Sequence, residues 1–107
     1  MSEPADQFLF LSTLGWKTSK RHQIEIWFVE RDGRYYVLSE RMENAHWVRN
    51  IVHESRVSFS ISGKHTDGKA RIVPAEKENA LATEISGLMK EKYGWGDGLI
   101  VELVPEN

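Results

Sequence analysis

Three fixed cations and a histidine fall within the six positions Lys17-Thr18-Ser19-Lys20-Arg21-His22. Lys17, Lys20 and Arg21 are fixed cations, and the Thr18 and Ser19 hydroxyls can donate. With Gly15 tightening the backbone, Thr13–His22 has the chemistry of a seat for phosphate or another compact anion, held by charge-assisted hydrogen bonds. A solvated hairpin tip whose lysines keep a sheet edge soluble would carry the same residues.

A second polar cluster, Ser39-Glu40-Arg41-Met42-Glu43-Asn44, follows a strand-like run and precedes helical spacing. If that helix begins beside the basic loop, its free amide groups add to the same anion seat. Trp47 in its first turn reads as core, whereas Arg49 and Asn50 could serve a ligand as well as solvent.

Other chemistries find little support. His22, His46, His53 and His65 lack the spacing of a metal pair, and no nucleophile elbow or Ser, His and acid set stands out. Glu25 is a lone acid inside an apolar strand, read as a carboxylate held by a neighbouring cation or backbone donor. Gly94, Gly96 and Gly98 alternate rather than cradle a phosphate, and Trp95 among them reads as a packing or interface anchor. The chain has no cysteine, which excludes disulfides and thiolate chemistry.

The elements that must position these groups follow from periodicity. The spacing predicts strands over 7–11 and 23–30, an Asp32-Gly33 turn, and a returning strand over 35–39. A helix over 43–54, capped by Asn44, places Trp47, Val48, Ile51 and Val52 on one face. Strict alternation marks a strand over 55–62. A polar turn over 63–68 and a strand over 69–73 follow it. Pro74 opens a helix over 75–92 bearing Leu81, Ile85, Leu88 and Met89 inward, and the last strand runs over 99–104.

Six mostly antiparallel strands with two helices predict a mainly β (α+β) chain, a small barrel or half-open sheet with helical covers. The 107 residues suit one domain over 1–107, with 1–6 frayed. Phe8, Phe10, Trp27 and Trp95 are more large apolar groups than one such chain covers, which predicts a homodimer. Fourteen Lys and Arg against sixteen Asp and Glu give a net charge of -2, so no global field draws the chain to nucleic acid or an anionic membrane. With no apolar run of membrane-spanning length and no secretory signal at Met1–Asp6, the expected location is cytoplasmic.

Four ordered motifs carry a family resemblance: Thr-Leu-Gly-Trp-Lys-Thr-Ser-Lys-Arg-His at 13–22, Ile24-Glu25-Ile26-Trp27-Phe28, Asp32-Gly33-Arg34-Tyr35-Tyr36-Val37-Leu38-Ser39, and Trp47-Val48-Arg49-Asn50-Ile51. Together they resemble the deazaflavin (F420)-dependent nitroreductases, within the pyridoxamine 5'-phosphate oxidase-like split β-barrel flavoproteins. The resemblance implies a homodimeric split barrel that binds coenzyme F420, FMN or FAD near the subunit interface. It further implies hydride transfer to a small electron-poor acceptor such as a quinone or nitro compound. The implied cofactor-facing residues are Lys17, Thr18, Ser19, Lys20, Arg21 and His22 of the loop, then Ser39, Arg41, Trp47, Arg49 and Asn50. Trp16 stands where the family usually has Arg, Ser19 where it has Gly, and Glu40-Arg41-Met42-Glu43 where it has a glycine-rich segment. These departures leave the cofactor open among F420, FMN and FAD. A non-catalytic carrier, or a binding module for another phosphate ligand, would use the same barrel.

Overall fold

A computed structural model describes residues 8–15, 20–40 and 42–106. Six antiparallel strands close into a barrel in the order β1-β2-β3-β6-β5-β4. They are β1 (Phe8–Leu14), β2 (Arg21–Arg31), β3 (Arg34–Ser39), β4 (Arg56–Ile61), β5 (Lys64–Ile72) and β6 (Leu99–Pro105). Helix α1 (His46–His53) lies between β3 and β4, and α2 (Asn79–Tyr93) between β5 and β6. This is the expected split barrel of six strands and two helices.

Alternation sorts the side chains into two cores. Leu9, Leu11, Phe28, Val37, Phe59, Val101 and Leu103 fill the barrel, and Trp47 and Ile51 of α1 pack against them. On the outer face, Val29, Tyr36, Leu38 and Ile100 are covered by Ala82, Ile85 and Met89 of α2; of the stripe read from the sequence Ile85 and Met89 are buried, while Leu81 and Leu88 are partly buried against this cluster. Beneath that layer the buried Glu102 carboxylate accepts from Tyr36 Oη at 2.8 Å and Arg71 Nε at 2.7 Å.

The Asp32-Gly33 turn forms as expected, with φ of 54° and 77°. A second such turn, Ser62-Gly63 with φ of 51° and 82°, replaces the long polar turn expected over 63–68, so β5 starts at Lys64. Both are two-residue turns in the left-handed region, whose twist matches paired strands.

Two helix starts are corrected. The cap of α1 is Ala45, not Asn44, because Met42–Asn44 form a 3-10 turn whose Met42 carbonyl accepts from Ser39 Oγ at 2.8 Å. Helix α2 starts at Asn79 rather than near Ala75. Pro74 instead opens a single turn, its carbonyl accepting from Lys77 and Glu78, and the Glu78 carboxylate is engaged by Arg71 rather than by the helix end.

What positions the site is a divergence in β2. Its first part, Arg21–Trp27, pairs with β1, but it pairs with β3 only over Phe28–Arg31. Leu38 and Ser39 continue along β6 without β2 beside them. Tyr93 ends the divergence, its hydroxyl accepting from Phe28 N–H at 3.0 Å and donating to Phe28 C=O at 2.7 Å.

Candidate functional site

Between the diverging part of β2, the end of β3 and α1 lies a cavity of about 1110 Å³. Its β2 wall runs from His22 to Trp27, a strand edge that β3 has left. Such an edge offers backbone donors and acceptors to a planar polar ligand. Leu38, Ser39 and Glu40 line the β3 side, and His46, Trp47, Arg49 and Asn50 the helix side. Met89 and Trp95 form a lip from α2 and the segment beyond it.

That lip is held tightly. Ser86 Oγ donates to the Gly96 carbonyl at 2.7 Å, and at Gly98, with φ of 142°, a Cβ would lie 2.8 Å from the Ser39 carbonyl oxygen. Trp95 and Ser39, on two walls of the cavity, are thus fixed through the same packed glycine.

The basic loop enters beside this cavity. Gly15 lines it, and Gly15 N–H donates to the Lys20 carbonyl at 2.7 Å, joining the two described ends of the loop. Trp16, Lys17, Thr18, Ser19 and Arg41 lie outside the described residues. His22 faces the cavity. Arg21 turns the other way, its Nη1 donating to Ser58 Oγ on β4 at 3.0 Å, and neither it nor Lys20 lines the cavity. Arg21 pairs with Leu14 on the outer face of β1–β2 and His22 with Thr13 on the inner one.

Ser39, Trp47, Arg49 and Asn50, drawn from two elements, are brought together around the cavity with His22. Asn50 is 5% exposed and its Nδ2 donates to Thr13 Oγ1 at 3.0 Å, so it also fastens α1 to the strand entering the loop. Trp47 serves both the barrel core and the cavity wall.

Glu25 departs from expectation. Among the described residues no cation or backbone donor holds its carboxylate, which is exposed on the outer face opposite Phe10. It lines the cavity together with Glu40, Gln23, His46, Trp27 and Trp95, none of which the sequence marked as cofactor-facing. The alternating polar positions of 23–27 were the available signal, but only the loss of β3 beside them turns them toward a ligand. His22 and His46 reach the cavity, whereas no described tyrosine does. No three described His, Asp or Glu side chains converge on a metal site, and no described helix is long and apolar enough to cross a membrane.

The profile of the F420H(2)-dependent quinone reductases matches residues 3–94. No curated protein matches the sequence. Solved structures share the fold at low identity. The heme storage protein HutZ from Vibrio cholerae superposes with a TM-score of 0.78 at 21% identity, over 95% of this chain and 83% of its own. An FAD-binding protein from Mesorhizobium loti gives 0.75 at 14%, over 96% and 83%. An F420-H2 dependent reductase, FDR-A, gives 0.64 at 20%, over 96% and 99%.

Proposed function

From the premise that the chain belongs to the F420H(2)-dependent quinone reductase family, we propose that it transfers a hydride from reduced F420, or from a flavin nucleotide, to a small electron-poor acceptor. A quinone is the first acceptor to try and a nitro compound the second. The observation that carries this reading is the convergence of His22, Ser39, Trp47, Arg49 and Asn50 on one cavity bordered by Gly15 of the basic loop.

The cavity suits such a group. Its volume admits a three-ring heterocycle with a phosphorylated side chain, Trp27, Trp47 and Trp95 supply apolar walls, and the β2 edge supplies backbone groups. When bound, the reduced cofactor supplies the hydride, and a quinone that accepts it takes one proton to become the hydroquinone. The chain's part is to bind, orient and exclude water. In this reading Lys17, Lys20 and Arg49 offset the charge of the phosphate, Thr18, Ser19 and His22 donate hydrogen bonds to it, and Ser39, Arg41, Trp47 and Asn50 serve the ring. Arg21 holds the loop to β4. His22 and His46 are the cavity side chains whose ring nitrogens can pass a proton to the acceptor.

A second copy of the chain completes the site. Phe8, Phe10 and Trp27 are 41%, 45% and 38% exposed on one outer face of β1–β2, and Phe8 and Trp27 also border the cavity. Covering that face buries three aromatic side chains and encloses the cleft. Light scattering of the purified protein should give twice the 12.3 kDa chain mass; a monomer would remove the partner from this reading. The setting we propose is the cytoplasm, where a reduced carrier is regenerated.

The test is absorbance titration with F420, FMN and FAD, followed by turnover of the reduced form with quinones. Absence of binding at micromolar levels to all three would overturn it. A second reading, binding without turnover, draws on the heme storage protein that shares the barrel. Retained cofactor with no acceptor reduced by any donor would favour it.

A further inference from the structure

The proposed reaction leaves two carboxylates of the cavity unused. Glu25 of β2 and Glu40 just beyond β3 both line it, and neither makes a hydrogen bond or ion pair among the described residues. Arg49 is the fixed cation among the described lining residues, and it pairs with neither acid. An unpaired carboxylate facing a ligand is a strong directional feature. It accepts from donors, and it repels an approaching anion by an amount set by distance and local dielectric. The acids also stand apart in the fold. Glu25 sits among Gln23, Trp27 and its cross-strand neighbour Phe10, away from Gly15 and the basic loop. Glu40 follows Ser39 at the open end of β3. Among the described lining residues, the β2 and β3 walls thus carry the two acids and the helix wall carries Arg49.

We propose that Glu25 and Glu40 make this cleft select its acceptor by charge, taking neutral or cationic quinone-like acceptors and rejecting those that carry a sulfonate or carboxylate. The inference rests on the cleft being the site of acceptor reduction. Each carboxylate, at several ångströms from the acceptor in a partly hydrated cleft, disfavours a singly charged anion by roughly threefold to tenfold. The same geometry predicts a preference of similar size for a cation. Both acids are exposed on the single chain and line an open cleft that ions can enter, so the effect is screened by salt, which a steric preference is not.

The experiment compares 1,4-naphthoquinone, its 2-sulfonate and a quaternary-ammonium derivative as acceptors for the native protein with reduced F420. The ratio of kcat/KM for the sulfonate to that for the neutral quinone is the readout. In low salt the sulfonate should be disfavoured by about tenfold or more. Glu25→Gln with Glu40→Gln should raise its ratio by about tenfold or more and lower that of the cation. Raising the ionic strength from about 20 mM to about 0.5 M should do the same to the native protein without any substitution. Turnover with ratios unmoved by both changes overturns the charge selection and leaves the reductase intact. If no acceptor turns over, the reductase reading fails. Quenching of the cavity tryptophans Trp27, Trp47 and Trp95 by the same three quinones then decides the charge selection from their dissociation constants. Equal constants, or no quenching by any of them, overturn it.

Discussion

Replacing Asn50 by alanine separates two roles that its position combines. The side chain lines the cleft, yet it is 5% exposed and donates to the buried Thr13 Oγ1 at 3.0 Å. Thr13 lies two residues before Gly15, whose N–H closes the loop on Lys20. The bond therefore ties α1 to the frame of the proposed phosphate seat. Truncation removes a hydrogen bond of net worth about 0.5–1.5 kcal/mol and strands a buried hydroxyl, for a total cost of about 1–3 kcal/mol. In a domain of this size each kcal/mol lowers Tm by about 4–8 °C, so a fall of about 4–24 °C is expected. The assay is a double-mutant cycle with Thr13→Val, which keeps side-chain volume and removes the hydroxyl, each form being unfolded in urea and titrated with F420. A framing role gives a coupling energy of about 0.5–1.5 kcal/mol and weaker cofactor binding in Thr13→Val as well, although Thr13 does not line the cleft. Strictly additive stabilities would refute the tie. Native affinity in Thr13→Val beside lost affinity in Asn50→Ala would move Asn50 from framing to direct ligand contact.

Burial, then the bond to Glu102, pushes the Tyr36 phenol from 10.0 to about 12. A raised folded pKa stabilises fully below the unfolded value, and that stabilisation drains away as pH climbs from about 10 to about 12. Tyr36→Phe should cost about 1.5–3 kcal/mol at neutral pH and remove this alkaline limb from urea unfolding curves, and a variant that kept the limb would count against the assignment. Gly98→Ala should destabilise by about 1–3 kcal/mol and weaken cofactor binding, since its Cβ meets the Ser39 carbonyl; unchanged Tm and affinity would show that the contact gives way freely. Lys17→Ala should weaken F420 several-fold, whereas Arg21→Ala should leave affinity within about twofold and lower stability instead, because its guanidinium is spent on Ser58. Equal losses of affinity in the two variants would return Arg21 to the phosphate.

How much of this was legible depended on how local each cause is. The Asp32-Gly33 turn was readable because two adjacent residues supply the left-handed backbone it needs. Ser62-Gly63 makes the same turn, but Ser62 continues the alternation of the preceding strand, which hides the turn in the sequence. The first half of β5 was invisible for a related reason: Lys64–Asp67 has no apolar face of its own and is recruited by Phe59 and Ile61 of β4, to which Thr66 and Lys64 pair. Helix α2 announced its buried face through Ile85 and Met89, while its start was hidden because Arg71, on another strand, claims Glu78. The cleft is the least local feature of all. Nothing at Trp27 or Phe28 says that β2 abandons β3 at that point, since the cause is which strand each half pairs with. Residues read from motif and polarity, such as His22, Arg49 and Asn50, could therefore be named in advance. Glu25 and Glu40 could not be placed, because their charge matters only once the missing strand pairing opens a wall for them to line. Carboxylates on a ligand wall, away from the basic loop, are what turn a fold-level expectation into a statement about which acceptors this chain admits.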